Sequence, residues 1–324
     1  MFSYLIRRLL YMIPIVLGVL VITFLLFFVV QKPEQMARRH LGPKATQKLV
    51  DNWLENRGFN KPLFVNTTAG ANPFDSVFFN FMANFLRFNF GKSYATGEDV
   101  GQMFRQGALP SLMITVPAFL LGFVLAVAVA LFVVYVRDSA IDRWIVVGCV
   151  ALMSIPVMVY VVFGQWLFAN QWKYFPAFGF STAGFDAVRF LVLPVGTMVI
   201  AGLGGDVRMF RAIFSEEIRS DYVRTAVAKG ASSTRVLAVH VLKNGLIALI
   251  TLVVASLPFL VMGSLVIENF FGIPGLGNLT TQAIQTADFS VVMATVYLGA
   301  LMYLGGLLLT DICYAAADPR IRFT

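Results

Sequence analysis

Charge is scarce in this chain. Asp, Glu, Lys and Arg make up 13% of its 324 residues, about half the ~25% of an ordinary soluble domain. That shortage excludes a disordered chain, a charged coiled coil and an ordinary cytosolic enzyme. Cysteine and histidine are scarcer still. Cys149 and Cys313 fall in or beside apolar runs, where the expectation is packing rather than a disulfide or a metal pair. His40 and His240 stand far apart, so no metal constellation is expected. No nucleophile–base pairing is legible either, and no catalytic residue is expected. What the chain has is apolar mass, 58% hydrophobic residues with 31 Phe. It reads as an all-α integral membrane protein.

Six uncharged apolar runs occur, at 9–30, 109–136, 144–168, 190–205, 246–267 and 291–310. About 20 helical residues cross the hydrocarbon core, and within lipid a backbone must satisfy its own hydrogen bonds. Five runs reach that length, and the fourth, with Gly196, Gly202, Gly204 and Gly205, must borrow flanking residues such as 187–189. Six transmembrane helices are therefore expected, with no acidic residue among them. Pro156 and Pro258 fall mid-span, where a proline either kinks a helix or serves packing alone. Arg7 and Arg8 precede the first run, yet it exceeds the apolar core of a signal peptide. Gln31, Lys32 and Pro33 follow it in place of a small-residue cleavage site, so an uncleaved anchor is expected.

The net charge of +8 raises the question of nucleic acid, but position answers it. With the N-terminus inside, the inner set is Arg7, Arg8, Arg137, Arg143, Arg208, Arg211, Arg219, Arg224, Lys229, Arg235, Lys243, Arg320 and Arg322. The short outer loops hold only Lys173 and Arg189. Basic residues gather in cytoplasmic loops, so both termini are placed in the cytoplasm and no nucleic-acid partner is expected. The long segment 31–108 is placed outside. Its stretch 78–90, FFNFMANFLRFNF, fits either an interfacial helix with Asn80, Asn84, Arg87 and Asn89 facing water or a small folded cap on the spans.

The largest inner loop, 206–243, repeats apolar residues at helical spacing: Val207, Phe210, Phe214, Ile218 and Tyr222. Two amphipathic helices are predicted, joined at Gly230-Ala231-Ser232. Gly230 would end the first, and Ser232 or Ser233 would cap the second. A plain connection needs only two to eight residues, and a helical elbow suits docking into a groove on a partner. Glu268 and Asp288 bracket the outer loop after the fifth span, and Asp311 sits near the inner end of the sixth. Glu268 reads as a solvated interfacial acid first, with a gate or partner contact as the alternative.

The run Asp221-Tyr222-Val223-Arg224-Thr225-Ala226-Val227-Ala228-Lys229-Gly230 resembles the EAA loop of ATP-binding-cassette (ABC) importer permeases, in its oligopeptide/dipeptide version. Further matches follow in the family's order. They are Tyr4-Leu5-Ile6-Arg7-Arg8-Leu9, then Phe88-Asn89-Phe90-Gly91-Lys92-Ser93, then His240-Val241-Leu242-Lys243-Asn244. The loop Glu268-Asn269-Phe270-Phe271-Gly272-Ile273-Pro274-Gly275-Leu276-Gly277 and the end Asp311…Tyr314…Asp318-Pro319-Arg320-Ile321-Arg322-Phe323 complete them. The chain departs from the family at Gln31-Lys32-Pro33-Glu34, at Arg224 where the general motif has Glu, at Ala248 in place of a Pro, and in a longer 64–77 stretch.

The resemblance implies a type I importer permease fold. It divides the chain into a first helix (1–30), an extracytoplasmic segment (31–108), a core with the coupling loop (109–314) and a cytoplasmic tail (315–324). It implies ATPase docking through Tyr222, Arg224, Thr225, Ala226, Lys229 and Gly230, and an outer gate or binding-protein contact at Glu268, Gly275 and Gly277. Implied partners are a second, homologous permease subunit in a heterodimer, two cytoplasmic ATP-binding subunits, an extracytoplasmic substrate-binding protein and the lipid bilayer. ATP and Mg would be held by the partner subunits, with no cofactor on this chain. Gly91-Lys92-Ser93 is no P-loop, because Leu86 occupies the position of its first glycine. The implied setting is a bacterial or archaeal cytoplasmic membrane. Peptides are the implied cargo, with nickel, glutathione or a peptide antibiotic as alternatives. An ion-coupled secondary transporter is the competing class, and it calls for acidic groups at broken helices near the midplane.

Overall fold

The computed structural model describes residues 2–67 and 72–317. The last matched motif, 318–323, lies outside the described residues. The first helix, α1 (Phe2–Phe24), continues as a π-helical stretch, Leu25–Val30. Three short helices follow: α2 (Pro33–Leu41), α3 (Gln47–Asn56) and α4 (Val77–Leu86). The bundle then holds α5 (Val100–Tyr135), α6 (Ala140–Ser154), α7 (Val157–Gly164) with a π extension to Gln171, and α8 (Gly184–Glu217). The elbow comprises α9 (Asp221–Ala228) and α10 (Ser233–Arg235), which leads through a π-helical turn into α11 (Leu242–Met262). The chain closes with α12 (Leu265–Phe271), α13 (Leu276–Gln285) and α14 (Phe289–Ala317). No strand is formed among the described residues, only an isolated bridge between Lys92 and Asp99.

Four of these helices are long and apolar enough to cross a membrane, and two bent pairs raise the number to six where each pair makes one span. The fourth run borrows its flank as expected, extending back to Gly184. The second begins nine residues early, because the Asp99 carboxylate accepts from the Gln102 N–H at 2.9 Å and caps α5 at Val100. The third, expected as one span at 144–168 with Pro156 either kinking it or serving packing, is split in two. It breaks at Ile155-Pro156, and its two halves stand at 89°. Pro156 has no N–H to give to the helix and pushes Ile155 into extended backbone (ψ 122°). Pro258, by contrast, stays inside α11 and seats on Gly306 of α14, where an added Cβ would lie 2.3 Å from the proline ring. The fifth run also ends early. Gly263 turns left-handed (φ +73°), and the Ser264 hydroxyl accepts from the Ile267 N–H at 3.3 Å to start α12.

Lipid gives helices little hydrophobic reason to associate, so close approach through small side chains has to do it. α5 buries Gly107, Ser111, Ala118, Gly122, Ala126 and Ala130 along one side, and α8 is its main neighbour. Gly204 of α8 meets α6 so closely that a Cβ would sit 2.5 Å from the Cys149 carbonyl oxygen. Cys149 is buried and Cys313 half-buried, both as free thiols. At one end of the bundle, Arg8 of α1 pairs with Asp311 of α14.

At the opposite end residues 33–67 and 72–99 fold into a cap. Its aromatic helix α4 is capped by Ser76 and buries Val77, Phe81 and Phe85 against Phe24, Phe28 and Tyr297 of the bundle. Asn80, Asn84, Arg87 and Asn89 remain exposed, as the interfacial helix requires, while the opposite side of α4 packs on the bundle as a cap does. Asp288, 2% exposed, latches the cap to the start of α14. Its carboxylate accepts from the Ser93 and Ser290 hydroxyls and from the Tyr94 and Ala95 backbone N–H groups.

Burial pushes the Asp288 carboxyl up, but these four donors outweigh it and hold it below the usual carboxylate range. The folded state therefore binds this proton less readily than the unfolded chain. The stabilisation is complete above about pH 4, the unfolded value, and is lost as the pH falls through the lower folded value. Asp288→Asn is expected to unlatch the cap, raising amide exchange across 91–99 by about tenfold at neutral pH, from a loss of ~1–3 kcal/mol. It should also remove the acid-dependent rise in exchange below pH 4. Unchanged exchange in that segment would refute the latch.

Candidate functional site

The elbow is built in three pieces where the periodicity predicts two. α8 runs unbroken from the bundle, burying Val207, Phe210 and Phe214. It stops at Glu217 because the Ser220 hydroxyl donates to the Glu217 carbonyl at 2.6 Å, competing with the helix for that acceptor. Asp221 then opens α9, where a carboxylate favours a helix N-terminus. Gly230 (φ +82°) closes α9 as expected, with the Ala231 N–H reaching back to the Ala226 carbonyl at 3.1 Å. Ser232, rather than Ser233, caps the next helix by accepting from the Arg235 N–H at 3.4 Å.

This short helix is firmly mounted. Val223 and Ala226, three residues apart, are buried in the cluster that holds Phe214, Val236, Leu237 and Leu249. Gly245 lets α11 approach so closely that an added Cβ would lie 2.6 Å from the Phe214 ring. Arg211 of α8 forms an ion pair with Asp142 at the start of α6, at 2.8 Å, which fixes the neighbouring turn. Any push on α9 therefore reaches α8, α11 and α6 through packed contacts.

Of the residues expected to dock a partner, Tyr222, Arg224, Thr225, Lys229 and Gly230 are exposed on α9 and its turn. Ala226 is a correction. At 8% exposure it faces inward, because its three-residue spacing from Val223 puts it on the apolar stripe that holds α9 down. Val227 takes its place outside, 57% exposed. Sequence reading missed it because an apolar residue amid a helical pattern reads as core. Tyr222 donates its hydroxyl to the Glu217 carboxylate. Partial burial and that neighbouring carboxylate push its phenol up from the usual value. The Arg224–Asp221 pair at 3.4 Å is fully in solvent, where such a pair contributes little. Beside α9 a groove of about 610 Å³ opens between it and the end of α5, with Val134, Val227 and Leu237 below and Arg137, Arg219 and Arg224 on the rim.

The second predicted group, Glu268, Gly275 and Gly277, forms a buried knot at the cap end. Glu268 is 0% exposed, which overturns the reading of a solvated interfacial acid. The Ser111 hydroxyl donates to its carboxylate at 2.8 Å, and the Ser264 and Asn278 N–H groups donate at 3.1 and 3.0 Å. Ser111 in turn accepts from the Leu276 N–H at 2.8 Å. α5, α12 and α13 are thereby tied at one carboxylate. The glycines are what let the backbone close around it. A Cβ on Gly275 would stand 2.3 Å from the Glu268 carboxylate, and one on Gly277 would stand 2.7 Å from the Ser264 backbone. Burial raises the Glu268 carboxyl above its usual range, although the donors pull it back. Ser111 is the other half of the knot, and a serine inside an apolar run gave no signal of it.

Asp206 also needs correcting. Read from sequence as the first residue of the inner loop, it lies within continuous α8 on the wall of a cavity between α5, α8 and α11. The helix that supplies the fourth apolar run thus carries on past Asp206, which belongs to the bundle rather than to a free loop. Among the described residues, no group of three or more His, Cys, Asp and Glu side chains is placed to ligate a metal.

Comparison with known proteins places this architecture. Residues 111–323 match the family model described as binding-protein-dependent transport system inner membrane component, and residues 1–113 match the N-terminal model of the same system. A probable peptide ABC transporter permease, y4tP of Sinorhizobium fredii, is 29% identical over 323 residues, covering 99% of both chains. The glutathione transport system permeases GsiC of Shigella flexneri and Escherichia coli are each 29% identical over 323 residues and match from end to end. An all-helical bundle with a stiffly mounted elbow, matched along its whole length, leaves one conclusion: the chain belongs to the binding-protein-dependent transport system inner membrane component family, as a multi-pass permease subunit of an ABC importer.

Proposed function

We propose that this permease forms half of a peptide translocation pathway, paired with a second, homologous but distinct permease subunit and driven through its elbow by two cytoplasmic ATPases. The observation that carries this is the outward face of α9. Val227 stands exposed between Arg224 and Lys229, on a helix whose opposite side is locked into the bundle by Val223 and Ala226. An apolar anchor flanked by cations fits a cleft with acidic rims, entered in the helix-in-groove manner. Because α9 is packed onto α8 and α11, closure of the ATPases moves the spans as rigid bodies, and alternating access follows.

The distribution of Lys and Arg supports placing the elbow and both termini in the cytoplasm. The cap then faces the substrate-binding protein. The knot of Glu268, Gly275 and Gly277 holds the outer end of the pathway and serves as its gate; buried as it is, Glu268 offers no surface to the binding protein. ATP and Mg belong to the partner subunits, and this chain is a non-catalytic translocation component. The names of the relatives favour peptides, glutathione included, as cargo.

The test is the purified complex in proteoliposomes with its binding protein. Peptide should stimulate ATP hydrolysis severalfold and be taken up with no ion gradient present. Uptake that needs a proton or sodium gradient and proceeds without ATP would refute the reading. Mass spectrometry of the ligand carried by the binding protein then identifies the peptide.

A further inference from the structure

Among the cavities between the long helices, the one walled by α5, α8 and α11 combines an unpaired acid with a mostly apolar lining. It measures about 250 Å³ and is lined by Thr115, Phe123, Met198, Gly202, Ser256 and Leu260, together with Asp206. The two cations nearest Asp206 on its own helix point elsewhere. Arg208 reaches the Met153 sulfur at 3.4 Å, and Arg211 pairs with Asp142 on α6. No hydrogen bond or ion pair reaches Asp206 among the described residues. Its Oδ2 leans back over Gly202, where an added methyl group would come within 3.7 Å.

The hydroxyls on this wall are already committed. Thr115 donates to the Leu260 carbonyl at 2.6 Å, and Ser256 donates to the Val253 carbonyl at 2.7 Å. What the cavity offers an occupant is therefore acceptors only: hydroxyl lone pairs, one carboxylate, and the rings of Phe119 and Phe123, whose faces attract cations. Asp206 is exposed toward this opening, and an acid on a spanning helix that faces a water-filled cavity marks a substrate path. We propose that this cavity is a cargo subsite, and that Asp206 binds the protonated amine of the passing substrate, a primary ammonium such as the N-terminus of a peptide. The inference deepens the peptide-permease reading and rests on it for the identity of the cargo.

The experiment has one arm that needs no transport. In the full complex, with Cys149 and Cys313 replaced by serine, Gly202→Cys places a thiol beside Asp206. A cationic thiosulfonate should label it about tenfold faster than an anionic one, and adding Asp206→Asn should erase that preference. Equal rates with Asp206 present overturn the subsite. In the second arm, Asp206→Asn should slow uptake of a peptide with a free α-amine about tenfold, while Asp206→Glu stays within twofold of wild type. Wild-type uptake by the Asn variant overturns the inference. So does loss of the second permease subunit from that variant's complex, since Asp206 would then be an ion-pair partner across the subunit interface. If the wild-type complex moves no peptide at all, the peptide-cargo reading fails instead, and the labelling arm alone decides whether the cavity selects cations.

Discussion

Glu268→Ala is expected to destabilise the permease by about 3–5 kcal/mol, because it leaves three buried hydrogen-bond donors without an acceptor. The Ser111 hydroxyl and the Ser264 and Asn278 N–H groups would lose their acceptor in a place water does not reach, and each stranded donor costs about 1–3 kcal/mol. The apparent melting temperature in detergent should fall by ~5 °C or more. α12 and α13 should release from α5, seen as faster amide exchange over 264–278. Glu268→Gln keeps the shape and one acceptor oxygen, and it should lose less than half as much. Because burial raises the Glu268 carboxyl when folded, its protonated form is favoured there. Stability from this group is present in full below the unfolded value, ~4.3, and falls away as the pH rises through the folded value; the Gln variant should show no such slope. A melting temperature unmoved by Glu268→Ala would show that the knot does not hold the outer end together.

Gly230→Trp is expected to leave the chain inserted in the membrane but to reduce transport by more than 100-fold through lost ATPase docking. Gly230 is exposed at the tip of the elbow, with nothing within 4 Å of where a Cβ would lie. A side chain there starts in open space at the exposed tip, in the path of a partner. Its backbone (φ +82°) also strains any side chain, by about 1 kcal/mol. Gly230→Asn separates the two effects, since Asn tolerates the left-handed region and adds little bulk; it should keep most of the uptake. Co-purification of the ATPases with the Trp variant, together with normal uptake, would remove Gly230 from the docking face.

Much of this was legible in one dimension, where the signal was local. Gly230 ends α9 because only a residue tolerant of positive φ can do so, and that is visible wherever Gly follows a helical stripe. Pro156 broke its span for a reason equally local, the missing N–H and the restraint on Ile155. Other outcomes depended on partners far along the chain. Where Pro258 packs turned on Gly306 of another helix, and whether Glu268 meets water turned on Ser111, more than a hundred residues away. Tyr222 and Val223 exchanged sides because the elbow folds at Ser220, which shifts the face that α9 turns inward.

The sequence by itself determined that this protein lives in a membrane, which residues can span it, and which family's motifs it carries. Those properties follow from composition and from spacings within single helices, and a lipid solvent leaves a span no other backbone solution. Only the tertiary structure decided where the acids go: Glu268 into a buried knot, Asp288 into the latch of the cap, Asp142 against Arg211, and Asp206 onto an unfilled cavity wall. A carboxylate's role is set by what surrounds it, and in this bundle those surroundings come from helices that meet only when it folds.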